Sequence, residues 1–296
     1  MDIGEGHGNK GRYGGLPDPY GSKDYAKIVL LPVPFDKTTT YQKGTDKGPA
    51  ALIEASRHLE LYDIETDSQV YLEGIYTAPL IKAKTSKQML ETVYRRTKQL
   101  IDQDKFVVTL GGEHSISYAP IRAHAEHYKK ITILQFDAHA DLAASYEGNP
   151  WSHASAMSRV RELKGVEKIV SVGIRSMSYQ ELASLDRPHT FFAHQILDDP
   201  HWIDRVADQL SGLVYITFDL DVFDPSIMPS TGTPEPGGLF WYDVLKLLRL
   251  VIERKKLVGF DVVELLPKAA NRAPDFLAAK LIYKILSYQF QSKKKK

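Results

Sequence analysis

The chain has 296 residues, 43% of them hydrophobic, and its 38 Lys and Arg almost balance its 37 Asp and Glu. That near-neutral balance argues against a nucleic-acid or membrane-surface partner, because both attract basic proteins. The absence of cysteine excludes disulfides and thiolate metal sites and favours a cytoplasmic location. No stretch contains the roughly 18 consecutive apolar residues of a membrane span, and we expect no signal peptide.

The length suits one α/β domain with a sizeable core, and the apolar pattern predicts eight strands alternating with eight helices. The predicted strands lie at 27–33, 70–77, 106–110, 131–136, 168–173, 190–193, 213–218 and 257–262. The predicted helices lie at 49–62, 86–103, 115–128, 153–163, 178–185, 199–210, 241–254 and 274–290. Such alternation is typical of a doubly wound parallel sheet with helices on both faces.

The two ends of the chain differ in composition from the rest. Residues 1–22 are Gly-rich and polar, which predicts a flexible or surface-draped arm. Residues 293–296 are four lysines, which predict a disordered, solvated tail. The domain itself is therefore expected to span residues 23–292.

Six side chains suited to metal binding follow three of the predicted strands. They are His114 after the third strand, Asp137, His139 and Asp141 after the fourth, and Asp219 and Asp221 after the seventh. Ligands of open parallel sheets gather at the carboxyl ends of the strands, where four carboxylates would repel one another without cations. The sequence therefore predicts a two-metal site. Oxygen-rich ligands with two imidazoles and no sulfur favour Mn²⁺, with Ni²⁺, Co²⁺ and Fe²⁺ left open.

Several motifs, in this order along the chain, carry a resemblance to a known family. They are G-G-E-H-S at 111–115, D-A-H-A-D at 137–141, F-D-L-D-V-F-D-P-S at 218–226, S-T-G-T-P-E-P-G-G-L at 230–239 and G-F-D-V-V-E-L-L-P at 259–267. Together they make the chain similar to the arginase/agmatinase ureohydrolases, and most like the agmatinase branch. The resemblance implies a three-layer αβα fold with a mainly parallel eight-stranded sheet, two Mn²⁺ per subunit, and a homo-oligomer, either a trimer or a hexamer.

The same resemblance implies a role for each candidate ligand. Asp137 and Asp219 would bridge the two ions. His114 and Asp141 would complete the coordination of one ion, and His139 and Asp221 that of the other.

Five further positions, together with Asp141, are expected to act on a small cationic guanidine. The family implies a proton-transfer role for His153 and for Asp141, and a guanidinium-binding carboxylate at Glu264, where two parallel hydrogen bonds can form. The loop at 230–239 offers Thr231 or Thr233 near the substrate. Glu147 is a candidate partner for the amine of the substrate. We expect Asp261, Glu113 and Glu235 only to support the site.

The segment at 146–155, Y-E-G-N-P-W-S-H-A-S, lacks the S-G-N-x-H-G pattern with which arginases hold the head of arginine. We therefore predict hydrolysis of agmatine to urea and putrescine. Other guanidino substrates stay open: aminopropylagmatine, guanidinobutyrate, guanidinopropionate, arginine and formiminoglutamate. A deacetylase-like metal amidohydrolase and a non-catalytic homologue are the remaining alternatives.

Overall fold

The structure is a computed structural model that describes residues 9–291. Its strands are β1 (Ile28–Val33), β2 (Ile75–Thr77), β3 (Phe106–Gly111), β4 (Ile131–Phe136), β5 (Val166–Ile174), β6 (Thr190–Phe192), β7 (Leu213–Asp219) and β8 (Lys256–Val263). They form one sheet in the order β2-β1-β3-β8-β7-β4-β5-β6, and every neighbouring pair is parallel. The predicted eight-stranded sheet is confirmed, and its pairing is wholly parallel.

Helices connect the strands. They are α1 (Gly48–Ser56), α2 (Ser86–Ile101), α3 (Tyr118–Tyr128), α4 (Ala156–Val160), α5 (Ala193–Ile196), α6 (Trp202–Gln209), α7 (Trp241–Arg254) and α8 (Ala273–Phe290). Short 3-10 segments lie at Tyr13–Gly15, Thr45–Lys47, Val70–Glu73, His114–Ser117, His153–Ser155, Tyr179–Ser184, Arg187–His189 and Leu220–Val222. Within residues 9–291, none of the helices has both the length and the apolar character to cross a membrane.

Alternate residues of each strand face opposite helix layers, as the two-residue period of a strand requires. On one side of the sheet, Leu30 and Leu134 belong to a buried cluster that includes residues of α1, α6, α7 and α8. On the other side, Leu31 packs with α2 and α3, and Ile133 packs with α3 and α4. Burial on both faces explains why the strands are continuous apolar runs, and it gives the predicted three layers.

The order of the strands decides where a site can form. β3 and β4 are consecutive in the chain, yet β8 and β7 lie between them in the sheet. The carboxyl ends of these four parallel strands therefore meet at one edge, where crossovers to different parts of the sheet leave a crevice. All the predicted metal ligands end or follow β3, β4 or β7.

The beginning of the chain differs from the predicted flexible arm. Tyr13 and Leu16 are fully buried. The hydroxyl of Tyr13 donates to the carbonyl of Ala279 at 2.7 Å, and its N–H donates to Thr77 Oγ1 at 2.9 Å. Two apolar anchors thus fix residues 9–22 on the domain despite their Gly-rich composition. Residues 1–8 and the predicted lysine tail lie outside the described residues.

Some predicted elements are shorter than expected. The strand predicted at 70–77 is a 3-10 segment followed by the shorter strand β2. Gly74 between them has a positive φ of 77°, which is incompatible with one continuous strand. The helix predicted at 178–185 is a 3-10 segment, and the one predicted at 153–163 begins as a 3-10 segment. The short helix α5 was not predicted, since four residues carry too little periodic pattern.

Close packing between β8 and α3 yields a stability test. His124 is fully buried, and burial lowers its pKa to about 4. A Cβ added at Gly259 would lie 2.4 Å from His124 Nε2, so Gly259→Ala should destabilise the fold by about 1–3 kcal/mol through overpacking. The midpoint of urea unfolding measures this. Gly212→Ala is the control, because apart from Gly212 and its two chain neighbours no atom lies within 4 Å of the added Cβ. Equal midpoints for the two variants would refute the packing argument.

Candidate metal centre

The structure brings all six predicted ligands together at the shared edge of β3, β7 and β4. Asp137 directly follows β4, Asp219 is the last residue of β7, and His114 begins the 3-10 segment after β3. Asp221 lies in the 3-10 segment after β7. Five of the six residues are at most 6% exposed, namely His114, Asp137, Asp141, Asp219 and Asp221. His139 is more open, with 26% of its side chain exposed.

The ligand atoms form two neighbouring groups that share Asp137. In the first, His114 Nδ1 lies 3.1 Å from Asp137 Oδ2, 3.0 Å from Asp141 Oδ2 and 3.4 Å from Asp219 Oδ2. In the second, His139 Nδ1 lies 2.8 Å from Asp221 Oδ2 and 3.8 Å from Asp137 Oδ1.

Each oxygen of Asp137 therefore faces one of the two groups, as a bridging carboxylate would. Within each set of three residues, His114–Asp137–Asp219 and Asp137–His139–Asp221, the ligand atoms lie within 4.8 Å of one another. Asp219 belongs to the first set only, so its predicted bridging role stays a prediction.

The hydrogen bonds of His114 fit a metal ligand. Its Nε2 lies 2.9 Å from Thr217 Oγ1, and that hydroxyl donates to Asp261 Oδ1 at 2.8 Å. Because the hydroxyl proton is directed to Asp261, Nε2 must carry the ring proton and donate to Thr217. Nδ1 lies buried beside three carboxylate oxygens. Burial opposes protonation of His114, but these carboxylates outweigh it and raise the pKa of His114 well above its ordinary value. Once it releases its proton, Nδ1 offers a lone pair in the middle of these oxygens. Asp261 thus has the supporting role that the sequence predicts, since metal-binding imidazoles are held in this way by a second group.

The electrostatics of the site show how strongly the carboxylates conflict. Burial, reinforced by the charges of Asp141 and Asp221, raises the pKa of Asp137 to about 7. The pKa of Asp219 is also raised well above its ordinary value by burial and by its carboxylate neighbours. Burial opposes the charged form of His139, yet Asp221 outweighs it and raises the pKa of His139 to about 11. Without a metal, the cluster lowers its negative charge by holding protons. Two divalent cations would balance four carboxylates, so the donor set fits a metal pair.

Glu264 lies beside the predicted ligands and closes the crevice from β8. It is 8% exposed, and its Oε1 accepts the N–H of His114 at 2.7 Å. Its backbone has φ 66°, and Asp141 has φ 53°, the left-handed region that non-glycine residues seldom occupy. Two positive-φ carboxylates at one crevice are typical of strain held at a functional site. Burial raises the pKa of Glu264 well above its ordinary value.

His153 lines the same cavity and is held through residues that sequence analysis had not connected with it. Its Nδ1 lies 3.3 Å from Thr38 Oγ1, which also accepts the N–H of His153 at 3.0 Å. Thr38 donates in turn to Glu113 Oε1 at 2.7 Å, and Glu113 Oε2 accepts the N–H groups of Lys37 and Thr38. The buried Glu113 therefore supports the site, as expected, by joining the loop after β1 to His153.

The cavity over the predicted ligands has a volume of 260 Å³. Of the candidate substrate-binding residues, some line it and others do not. Thr233 and Gly232 line it, whereas Thr231 is fully buried and is not among the lining residues. Glu147 is exposed on a turn and does not line the cavity either. The structure thus brings Thr233 to the cavity and leaves Thr231 and Glu147 outside its lining.

Two further charged residues at the site were not identified from the sequence. Glu181 lines the cavity, is 8% exposed, and accepts the N–H groups of Leu142 at 2.8 Å and Ser178 at 2.7 Å. Arg175 donates to the carbonyls of Asp221 at 2.6 Å and Glu235 at 2.9 Å and so ties the two loops together. The only sequence signal for Glu181 is its capping-box spacing from Ser178, which predicts a turn and not a site.

A model of the arginase family matches residues 26–287. The chain therefore belongs to the arginase family, ureohydrolases that act on a guanidino group and depend on a binuclear metal centre.

Relatives cover nearly the whole chain. The N(1)-aminopropylagmatine ureohydrolase of Synechocystis sp. is 38% identical over 92% of this chain and 92% of its own length. The agmatinase of Pyrococcus horikoshii is 32% identical over 88% of this chain and 91% of its own. Among solved structures, the agmatine ureohydrolase of Thermoplasma volcanium superimposes with a TM-score of 0.85 at 30% identity, covering 95% of this chain and 94% of that one.

The raised pKa values predict how metal affinity and stability depend on pH. Metal binding requires that Asp137, with a pKa of about 7, and His139, with a pKa of about 11, each release a proton. In the metal-free protein, protonation of these two groups stabilises the folded state at low pH. That stability is lost as the pH rises through their raised pKa values. Addition of Mn²⁺ should therefore raise the melting temperature more at pH 8 than at pH 6, and calorimetry should detect proton release. An equal rise at both pH values would contradict this electrostatic picture.

Proposed function

We propose that this protein is a binuclear manganese hydrolase that cleaves the guanidino group of a linear, amine-bearing guanidine and releases urea. The observation that carries the proposal is the position of Glu264, a buried carboxylate in the wall of the cavity that also contains the ligand cluster. A guanidinium is planar and pairs with a carboxylate through two hydrogen bonds. The positive charge of the guanidinium would also neutralise the buried carboxylate of Glu264.

His114, Asp137, Asp141 and Asp219 would hold one ion, and Asp137, His139, Asp219 and Asp221 the other. When bound, such a pair of ions lowers the pKa of water towards neutrality and supplies the nucleophile. Oxygen and imidazole donors without sulfur favour Mn²⁺.

The protein's own side chains orient the guanidine and move protons. Glu264 holds the guanidinium in one orientation, which turns attack on its carbon into a nearly unimolecular step. The amine that leaves must gain a proton, and Asp141 and His153 are the groups we propose to transfer it. Because the Thr38 hydroxyl donates its proton to Glu113, it can only accept from His153 Nδ1, and Nε2 is then the ring nitrogen that exchanges protons with the cavity.

Charge in the cavity supports a substrate with a cationic tail. Within residues 9–291, the side chains that line the cavity include no lysine or arginine. Glu181 is a nearly buried carboxylate there, and the hydrogen bonds it accepts come from backbone N–H groups. An ammonium group would pair with it, whereas a carboxylate tail would be buried next to a like charge at a cost of several kcal/mol. We therefore propose Glu181, in place of the exposed Glu147, as the partner of the amine.

Two substrates meet this requirement. Agmatine carries a primary amine four carbons from its guanidino group and would give putrescine. N(1)-aminopropylagmatine extends that amine and would give the corresponding triamine. The name of the relative at 38% identity favours the longer substrate, and the agmatinase at 32% identity favours the shorter one. We place the longer substrate first.

A panel of guanidines tests the proposal. We expect kcat/KM for N(1)-aminopropylagmatine and agmatine to exceed that for arginine and guanidinobutyrate at least ~100-fold, which corresponds to about 2.7 kcal/mol. Urea release from the four substrates, measured at matched concentrations with Mn²⁺ present, gives the ranking. Faster turnover of either carboxylate-bearing substrate would refute the cationic-tail proposal. Absence of urea from all four would refute the function as a whole.

The role of Glu264 has a charge-specific test. Glu264→Gln keeps the acceptor that holds the His114 N–H and removes the charge, so kcat/KM should fall on the order of 100-fold, as for removal of one partner from a buried charged pair. Glu235→Gln is the matched control. Its carboxylate lies 3.9 Å from His139 Nε2 and is 38% exposed, and we expect a change within about threefold. Bound manganese should stay unchanged in both. If Glu264→Gln retained full activity, Glu264 could not be the clamp.

A further inference from the structure

Gln135 and Thr132 are the two polar residues of β4, whose other four residues are apolar. β4 reads Ile-Thr-Ile-Leu-Gln-Phe, and Gln135 is 1% exposed. It precedes Asp137 by two residues, so both side chains point to the same face of the sheet. Burial of an amide is unfavourable unless its donors and acceptor are satisfied, and the partners of Gln135 show what it does.

The amide of Gln135 has one possible orientation. Its Nε2 donates to Asp137 Oδ2 at 2.9 Å and lies 3.2 Å from the carbonyl oxygen of His139. Both are acceptors, so the nitrogen must face them. On the opposite side, Ser171 Oγ donates to Gln135 Oε1 at 2.7 Å. Ser171 lies on β5 directly opposite Gln135 in the parallel register, so the sheet itself sets this contact.

The second oxygen of Asp137 is held in a matching way. Oδ1 accepts the N–H of His139 at 2.7 Å. Each oxygen thus takes one N–H donor, and each keeps a second lone pair. The oxygen held by Gln135 is the one that faces His114, and the oxygen held by the backbone is the one that faces His139. The two donors therefore fix the rotation of the carboxylate that both ligand groups share.

We propose that Gln135, anchored by Ser171, is a positioning residue that orients Asp137 so that each of its oxygens faces one ligand group and would bind the ion held there. This inference rests on the metal pair of the proposed function. It goes beyond that function by assigning part of the metal affinity to a buried side chain that does not line the cavity. Hydrogen-bond partners of ligands in other metal sites alter metal affinity 10- to 100-fold when removed.

The test measures Mn²⁺ binding directly. Gln135→Leu keeps most of the volume and removes the donor, and calorimetric titration of the metal-stripped full chain with Mn²⁺ should show affinity weakened by about 10- to 100-fold. Ser171→Ala removes only the hydrogen bond that Ser171 donates to Gln135, so it should weaken Mn²⁺ binding by a smaller factor. Because Ser171 is partly exposed, this second variant also serves if Gln135→Leu does not fold.

Thr132→Val is the matched control. Thr132 is buried on the same strand, and its hydroxyl donates to Ser211 Oγ at 2.6 Å instead of to a ligand. It should bind Mn²⁺ as the wild type does, although it also loses a buried hydrogen bond. Wild-type affinity in both Gln135→Leu and Ser171→Ala would overturn the inference while leaving the proposed function standing. If the wild type bound no Mn²⁺, both the proposed function and this inference would be refuted. If Thr132→Val weakened Mn²⁺ binding as much as Gln135→Leu does, the weakening would come from lost stability, and the role of Gln135 would also be refuted.

Discussion

Mutual repulsion among buried carboxylates is the constraint on which the rest of this structure depends. Four aspartates converge where β3, β8, β7 and β4 end, and burial prevents water from screening them. Burial and this crowding together raise the pKa of Asp137, and the crowding also leads His139 to pair closely with Asp221. A fold tolerates such a cluster only when something compensates for its charge, and a pair of divalent cations would balance the four carboxylates.

Hydrogen bonds from neighbouring residues hold the ligand cluster in a fixed arrangement. Asp261 orients His114 through Thr217, and Arg175 ties the loop of Asp221 to the loop of Glu235. Gln135 and the N–H of His139 hold one oxygen each of Asp137. These partners come from different strands and loops, so the sheet acts as a rigid frame for a charged site. Such preorganisation is what metal and transition-state binding require.

Much of this site was predictable from the sequence, and the reason is geometric. Runs such as I-T-I-L-Q-F identify buried strands, and parallel strands place whatever follows them at a common edge. The residues that were missed depend on contacts between distant parts of the chain. Glu181 resembles a helix cap, Gln135 an odd polar residue in a strand, and Tyr13 part of a Gly-rich arm. Glu147 shows the reverse, because its position in the loop at 146–155 predicts a contact with the substrate, whereas the structure places it on an exposed turn outside the lining of the cavity.

Diffraction at the manganese absorption edge tests most directly whether two cations share Asp137. Crystals of the full chain grown with Mn²⁺ should give two anomalous peaks, one among His114, Asp137 and Asp219, and one among Asp137, His139 and Asp221. Both peaks should lie next to oxygens of the same Asp137 carboxylate. A single peak, or two peaks that do not share Asp137, would contradict this arrangement.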